Sequence, residues 1–151
     1  MAELNFTEKE LENRETMPWK DERCEAITGG ENKNRFLLYQ LKYSMMNADR
    51  IDIIVSFLME SGVRMLLKDL QRALERGTRI RILTGNYLGI TQPGALYLIK
   101  DALGDQIDLR FYKEKERSFH PKAYIFHKKE FGEIYIGSSN VSRSALTSGI
   151  E

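Results

Sequence analysis

The sequence predicts an α/β fold in which helices cover both faces of a parallel or mixed β-sheet. Runs of β-branched residues, each of strand length, alternate along the chain with segments whose apolar residues recur at three- and four-residue spacing. This alternation produces βαβ units, in which the strands share one sheet and the connecting helices pack against it. One compact domain is expected, because 42% of the 151 residues are hydrophobic and 30% are charged.

The first predicted elements are a helix, a strand and a second helix. Apolar residues at helical spacing predict a helix over residues 34–48. The run RIDIIVSF, residues 50–57, is β-branched and apolar on both faces, which is typical of a central strand. A helix then starts at Ser61-Gly62 and ends at Arg76-Gly77, a pair that has the form of a C-terminal cap.

A further strand, helix and strand continue the alternation. The run TRIRILTG, residues 78–85, predicts the second strand. The segment TQPGALYLIKDALG, residues 91–104, predicts a helix that ends at its final glycine. The run QIDLRFY, residues 106–112, predicts the third strand.

The last part of the chain predicts a β-hairpin and the start of a helix. Residues 118–140, SFHPKAYIFHKKEFGEIYIGSSN, contain two strand-length runs with a turn about Glu130. The segment SNVSRSAL then begins a helix with Asn140 or Ser142 as its N-cap. Because a domain rarely ends in the first turns of a helix, we expect residues 29–151 to be a domain truncated from a longer chain.

The first 28 residues are predicted to be an acidic lead-in to this domain. Residues 1–25 carry eight Asp or Glu side chains against four Lys or Arg, and Gly29-Gly30 marks the entry to the compact part. The chain has no run of about 18 apolar residues, and its acidic N-terminus is unlike a signal peptide. With Cys24 as the single cysteine, these features predict a cytoplasmic protein that does not act at a membrane.

Positive charge is concentrated around the predicted hairpin. Residues 110–129 carry seven Lys or Arg against two Glu, and they contain both histidines of the chain. This distribution favours an anionic ligand, although a solvated face has the same composition. The second helix carries a cationic stripe, which has two interpretations. It is either a track for a nucleic-acid backbone or outer helix surface in water. The stripe consists of Arg64, Lys68, Arg72 and Arg76.

The open end of the hairpin holds the candidate catalytic residues. In antiparallel strands that turn about Glu130, positions whose numbers sum to 260 lie opposite each other. His120 then pairs with Asn140, and Lys122 pairs with Ser138, so that all four side chains share one face. The remainder of that face is expected to be apolar, through the pairs Tyr124 with Ile136 and Phe126 with Ile134.

The chemistry of these four side chains fits phosphodiester cleavage without a metal. An imidazole is nucleophilic near neutral pH, while an ammonium, an amide and a hydroxyl can hold phosphate oxygens. The tract His127-Lys128-Lys129 repeats the His-x-Lys pattern, but only His120 leaves room for a complete hairpin before Gly-Ser-Ser-Asn. Two histidines without cysteines or clustered acids do not form a metal site, and the loop after the second strand lacks the lysine of a P-loop. We therefore expect no metal and no cofactor.

The pattern HPK…GSSN resembles H-x-K-x4-D-x6-G-S-x-N, the HKD motif of the phospholipase D superfamily. The resemblance implies an α/β/α sandwich and makes His120 the nucleophile that forms a phosphohistidine intermediate. It also implies that Lys122 and Asn140 are phosphate ligands and that Ser138 is a supporting hydrogen-bond donor. The family tends to place a Glu eleven residues beyond the motif Asn, where it orients a histidine, and here that residue is Glu151.

The chain departs from the family motif in two ways. His127 occupies the position of the motif Asp, and the segment from His120 to Asn140 is three residues longer, with the excess in the HKKEFGE turn. In the expected hairpin, position 127 faces away from the four site residues. The motif Asp is therefore interpreted as a structural partner rather than a catalytic group.

A narrower resemblance covers residues 30–151, which look like the phospholipase-D-like nuclease domain at the N-terminus of certain bacterial DEAD/DEAH-type helicases. It implies a metal-independent nuclease that acts on DNA rather than RNA, within a larger helicase or restriction/repair protein. Since the family mechanism uses two motifs and this chain holds one, it also implies a homodimer with the active site at the two-fold axis.

Two other functions fit the same residues. One is a catalytically weak or inactive DNA-binding or dimerisation module of a helicase, which the missing motif Asp favours. The other is phospholipid cleavage, which the lack of a visible apolar interfacial segment disfavours.

Overall fold

The computed structural model describes residues 36–114 and 116–149 of the chain, so the lead-in over residues 1–28 and Glu151 lie outside the described residues. Every helix and strand that the sequence predicts within the described ranges is present. The helices are α1 (Leu37–Met46), α2 (Glu60–Glu75), α3 (Pro93–Leu103) and α4 (Arg143–Thr147). The strands are β1 (Arg50–Val55), β2 (Arg79–Thr84), β3 (Ile107–Phe111), β4 (Lys122–His127) and β5 (Gly132–Ile136).

The five strands form one mixed sheet in the order β3-β2-β1-β4-β5. β1 is parallel to β2, and β2 is parallel to β3, whereas β4 is antiparallel to both β1 and β5. The predicted α/β class with a mixed sheet is confirmed. β1 is the middle strand of the five, as predicted. Its core face is apolar, with Ile51, Ile53 and Val55 buried, whereas Arg50 and Asp52 lie on its other face.

One face of the sheet carries the hydrophobic core. Alternate residues on each strand point to this face, and they join the buried side chains of all four helices in one cluster. The strand members of the cluster are Ile51, Ile53, Val55, Ile80, Ile82, Ile107, Tyr124 and Phe126. The opposite face contributes no side chain to this cluster. The predicted cover of helices on both faces is therefore not found within residues 36–114 and 116–149, where all four helices join the core on one face.

Three helix ends have caps that the sequence predicts. Gly77, at the end of α2, has a φ of 85°, and its N–H donates to the carbonyl of Leu74 at 2.8 Å. Gly104 ends α3 with a φ of 59°. Of the two candidate caps for α4, Ser142 is the one used, since its side chain accepts a hydrogen bond from the N–H of Ala145 at 3.2 Å.

The predicted register of the β4–β5 hairpin is wrong by one residue. Ala123 lies opposite Ile136, and Ile125 lies opposite Ile134, so paired positions sum to 259 rather than 260. The physical reason is the turn, which is closed by the N–H of Lys128 donating to the carbonyl of Phe131 at 2.8 Å. Paired positions sum to an odd number when two residues lie between the closing pair of the turn. A turn centred on Glu130 would instead have three residues between its closing pair and would give an even sum.

The shifted register changes which side chains of β5 face the core. A one-residue slip moves every side chain of a strand to the other face. Tyr135, rather than Ile134 or Ile136, therefore lies on the core side, packed edge-on against Phe126 with ring centroids 5.9 Å apart. Ile134 and Ile136 point to the opposite face and are 61% and 81% exposed.

The first turn of α2 holds the chain that follows β5. The N–H of Met59 donates to the carbonyl of Val141 at 2.9 Å, and the N–H of Arg143 donates to the Ser61 hydroxyl at 3.3 Å. Gly62 permits this approach, because a Cβ there would lie 2.5 Å from the carbonyl carbon of Val141. The position of Asn140, one residue earlier, therefore depends on Gly62.

We predict that Gly62→Ala lowers the free energy of unfolding by about 1–3 kcal/mol, since a methyl group forced against backbone atoms cannot be accommodated by a side-chain rotation. Gly94→Ala in α3 is the matched control. The three atoms nearest to the added Cβ there all belong to the flexible side chain of Glu60, which can move away, and alanine favours a helix over glycine. Urea unfolding of the two variants measures the difference, and equal stability of Gly62→Ala and the parent would contradict the prediction.

Candidate active site

The candidate site lies at the edge of the sheet where β1 and β2 end and β4 begins. Lys122 is the first residue of β4 and lies opposite Val55, the last residue of β1. Loops beyond the carboxyl ends of parallel strands are the usual place for ligand contacts in α/β sheets. Three of them meet here: the loops that follow β1 and β2, and the segment that precedes β4.

The side chains of His120 and Lys122 are in direct contact. The Lys122 Nζ lies 2.8 Å from His120 Nε2 and 3.0 Å from Nδ1, and it donates to the His120 carbonyl at 3.1 Å. Lys122 is only 8% exposed, whereas His120 is exposed to solvent. A buried ammonium therefore lies against one edge of an imidazole that a solvent-borne ligand can reach.

Three contacts fix the segment that carries His120. The ring of Phe119 stacks on Tyr112 with centroids 4.8 Å apart, and it fills the space where Gly85 has no side chain. The Ser56 hydroxyl donates to the carbonyl of Pro121 at 3.1 Å. The ring of Tyr87, in the one-turn 3-10 helix after β2, lies with its centroid 4.2 Å from that of the His120 ring.

Asn140 is buried at the end of β1. Its Oδ1 accepts hydrogen bonds from the N–H of Ser56 at 2.9 Å and from the N–H of Phe57 at 3.2 Å. Only 5% of Asn140 is exposed. Because the two backbone donors occupy the amide oxygen, the amide NH2 is the part of this side chain that can donate to a ligand.

The structure assembles the candidate residues differently from the prediction. The 259 register removes the expected face of four residues, since it puts the even positions of β5 on the face opposite to Lys122. β5 ends at Ile136, however, and a bend at Gly137-Ser138 turns the chain so that Asn140 reaches Ser56. Ser138 itself is exposed in that bend.

His127 faces away from Lys122, as predicted, and contacts a carboxylate on the other face of the sheet. His127 Nε2 lies 2.8 Å from Asp52 Oδ2. Arg81 holds the same carboxylate through Nε at 2.6 Å and Nη2 at 2.9 Å. This hydrogen bonding with Arg81 is the main cause of a lowered pKa of Asp52, although burial acts in the opposite direction. The carboxylate is therefore charged at neutral pH.

Two residues at this site were not predicted from the sequence. Ser56 links the two halves of the motif, because its backbone binds Asn140 and its hydroxyl binds Pro121. The sequence signal for Ser56 was a polar residue near the end of the largely apolar run RIDIIVSF. Tyr87 contacts His120 from the loop after β2, where ligand contacts are common, but nothing in the sequence distinguishes it from other loop aromatics.

The cationic stripe on α2 makes contacts within its own chain. Arg64 lies 3.4 Å from Glu60, and Arg72 lies 3.7 Å from Asp69. Arg76 donates to the carbonyl of Met45 at 2.7 Å. These contacts favour the interpretation of the stripe as solvated outer surface over that of a nucleic-acid track.

Two further features are absent from the described ranges, 36–114 and 116–149. They contain no group of three or more His, Cys, Asp or Glu side chains arranged to hold a metal ion. No helix in the same ranges has the length and hydropathy needed to cross a bilayer.

One family model and two solved structures are similar to this chain. Residues 41–151 match the family model described as "Cardiolipin synthase, PLD-like domain". Among solved structures, polyphosphate kinase from Porphyromonas gingivalis is similar, with a TM-score of 0.52 and 19% identity over 75% of this chain. The archaeal chromatin protein TrmBL2 gives a TM-score of 0.41 and 18% identity over 80% of this chain. The matches span 17% of the kinase and 44% of TrmBL2. No curated protein matches the sequence.

We predict that Asn140→Ala and Asn140→Asp separate the two roles of the amide. Alanine leaves the N–H groups of Ser56 and Phe57 without their acceptor, which should cost about 1–3 kcal/mol of unfolding free energy. Aspartate keeps an acceptor at Oδ1 but replaces the NH2 donor with a charge that repels phosphate. Asn140→Asp should therefore unfold in urea close to the parent and bind inorganic phosphate more weakly, and equal destabilisation by both variants would refute this division.

Proposed function

Because the chain belongs to the family of phospholipase-D-like domains whose model it matches over residues 41–151, we propose that it cleaves DNA through a phosphohistidine intermediate without a metal ion. Family membership itself makes the chain a phospholipase-D-like, phosphodiesterase-family domain. The observation that supports the catalytic proposal is the contact between the exposed imidazole of His120 and the buried ammonium of Lys122 at 2.8 Å.

In the proposed reaction, a ring nitrogen of His120 attacks the phosphorus atom of a phosphodiester in line with the leaving oxygen. A phosphorus–nitrogen bond forms as the phosphorus–oxygen bond breaks, and the leaving oxygen takes a proton and departs as an alcohol. Water then attacks the phosphohistidine. This second step breaks the phosphorus–nitrogen bond, releases a phosphate monoester and regenerates the imidazole.

The other candidate residues hold the phosphate in this proposal. The ammonium of Lys122 and the NH2 group of Asn140 donate to the non-bridging oxygens, on which charge develops in the transition state. Their burial strengthens this effect, since water screens the interaction less. Ser138 supplies a further donor from its bend. Glu151 is proposed to orient a histidine, on the strength of its position in the motif alone.

A homodimer completes the proposed site. The mechanism needs a second group to protonate the leaving oxygen, and the chain holds one copy of the motif. A two-fold axis beside His120 brings in the histidine of a second chain, and the exposure of His120 leaves room for it.

DNA is the proposed substrate because of the charge around the site. Residues 110–129 carry seven Lys or Arg against two Glu, which favours a polyanion. We propose that the domain serves a larger helicase or restriction/repair protein in the cytoplasm. A phospholipid substrate is the main competitor, since the family description names cardiolipin synthase.

We predict that His120→Ala lowers cleavage of DNA in the presence of EDTA by at least about a thousandfold, because the nucleophile is removed. The assay follows single- and double-stranded DNA beside vesicles of phosphatidylglycerol. His127→Gln is the matched control, since it removes the other histidine and should leave turnover intact. A His120→Ala protein that cleaves DNA as fast as the parent would rule out the mechanism. Cleavage of the vesicle lipid without cleavage of DNA would rule out DNA as the substrate. Salt-sensitive DNA binding without turnover would show that the domain is a binding module.

We also predict that His120→Ala chains lower the activity of parent chains when the two proteins are mixed. After subunit exchange at constant total protein, activity should fall as the square of the parent fraction, because a mixed dimer has one histidine where the reaction needs two. A linear fall, or a single-chain mass by light scattering under assay conditions, is the result that excludes a shared site.

A further inference from the structure

Three arginines form a row on the face of the sheet opposite the core, which we call the outer face. Arg79 and Arg81 are alternate residues of β2 whose neighbours in the strand are buried, and the register of β3 places Arg110 beside Leu83, the next alternate position. We call Arg79, Arg81 and Arg110 the arginine row. Since each strand residue rises about 3.3 Å, the row extends for roughly 13 Å toward the carboxyl end of β2.

The middle of the arginine row carries more positive charge than the nearby acid neutralises. Arg81 holds the Asp52 carboxylate at 2.6 Å, yet 56% of the Arg81 side chain is exposed. The same carboxylate also lies 3.3 Å from Arg50 and 2.8 Å from His127. One negative charge is therefore shared by two guanidinium groups and an imidazole, and the cluster attracts a further anion.

The two ends of the arginine row are open to solvent. The Arg110 side chain is 74% exposed, and its partner Asp108 at 2.9 Å is 42% exposed. An ion pair with this exposure contributes little to stability, so an anionic ligand can displace Asp108 at small cost. Arg79 is exposed and forms no ion pair with an acid of the described residues. It lies beside Arg50 on β1, and like charges on neighbouring strands repel unless an anion lies between them.

The arginine row leads to the segment that carries His120. By strand alternation, Tyr112 follows Arg110 on the outer face, and Gly85 continues the outer positions of β2. The ring of Phe119 lies against both, since it stacks on Tyr112 with centroids 4.8 Å apart and lies 2.9 Å from the place of a Cβ on Gly85. His120 is the next residue, so a ligand on the outer face can reach it without crossing the core.

We propose that the arginine row binds the phosphate backbone of the DNA strand whose phosphodiester lies at His120. The inference rests on the proposed function, because it takes DNA as the substrate. A guanidinium group binds phosphate through two parallel N–H donors, which gives arginine a defined geometry on a nucleic-acid backbone. The length of the row, roughly 13 Å, equals the axial rise of about four phosphates on one strand of a duplex.

A membrane surface with anionic lipid is the alternative ligand for the outer face, because Ile134 and Ile136 are exposed on it. These isoleucines belong to β5, however, which β1 and β4 separate from the arginine row. The arginines and the exposed isoleucines therefore lie at opposite sides of the sheet. A row of cations that leads to the candidate site fits a linear polyanion better than a lipid surface.

The salt dependence of DNA binding tests this contact. Binding of a fluorescein-labelled duplex of about 20 base pairs is followed by anisotropy between about 50 and 200 mM NaCl. The reference protein is the full chain with His120→Ala, so that the probe is not cleaved. Arg79→Gln and Arg110→Gln each remove one phosphate contact, and each should reduce the slope of log Kobs against log salt by about 0.9. The double variant should lose about twice as much.

Arg64→Gln and Arg72→Gln are the matched controls, since they make the same change of charge on α2, which packs against the other face of the sheet. Their slopes should equal that of the reference protein. Arg79→Lys keeps a cation in the row and should also keep the slope. This result would show that Arg79→Gln acts through the loss of charge rather than through a loss of folding.

Unchanged slopes in Arg79→Gln and Arg110→Gln would overturn the inference, and so would equal losses in the two α2 variants. A reference protein that binds no duplex would overturn it as well. The same two variants are also tested on phosphatidylglycerol vesicles. If they lose vesicle binding but keep DNA binding, the arginine row belongs to a membrane surface and the inference is wrong.

Cleavage by the parent chain in EDTA separates this inference from the proposed function. A parent that cleaves DNA, together with slopes that do not respond to the arginines, refutes the role of the arginine row and leaves the catalytic proposal intact. A chain that binds DNA through the row and does not cleave it supports the row and refutes the catalytic proposal.

Discussion

The amide oxygen of Asn140 is the contact on which the candidate site depends. It accepts the N–H groups of Ser56 and Phe57, the first two residues after the central strand. These donors have no partner in the sheet ladder once β1 has ended, and burial makes an unsatisfied N–H costly. The contact thus satisfies the two backbone N–H groups that follow β1. It also anchors the segment after β5 beside the start of β4.

The regular elements could be predicted from the sequence because each has a local cause. Hydrophobic periodicity identified the helices and strands, and glycines that adopt a positive φ marked the ends of α2 and α3. The hairpin register could not be predicted in the same way, since it depends on whether two or three residues lie between the closing pair of the turn. A turn centred on Glu130, which would pair His120 with Asn140, makes paired positions sum to an even number, whereas the observed pairs sum to an odd number.

His120 and Lys122 lie in direct contact for a reason that does not depend on the hairpin register. His120 and Lys122 needed only the alternation of a strand, which brings residues two apart to one side. Asn140 is linked to their segment through Ser56, 84 positions away in sequence, whose N–H donates to Asn140 Oδ1 and whose hydroxyl donates to the Pro121 carbonyl. No periodic pattern encodes a contact of that kind, and the same is true of Tyr87 against His120. The part of the site that sequence reasoning missed is the part made by tertiary contacts.

The division of the sheet into two faces explains why the motif can carry His127 at the position of its Asp. Position 127 belongs to the outer face with Arg50 and Asp52, while Lys122 belongs to the core face. On the outer face a carboxylate is still present, because Asp52 on the neighbouring strand lies 2.8 Å from His127 and is held by Arg81. The carboxylate on this face is thus supplied by β1, where it contacts both His127 and Arg81. Replacement of the motif Asp by His127 therefore affects contacts on the face of the sheet opposite to Lys122.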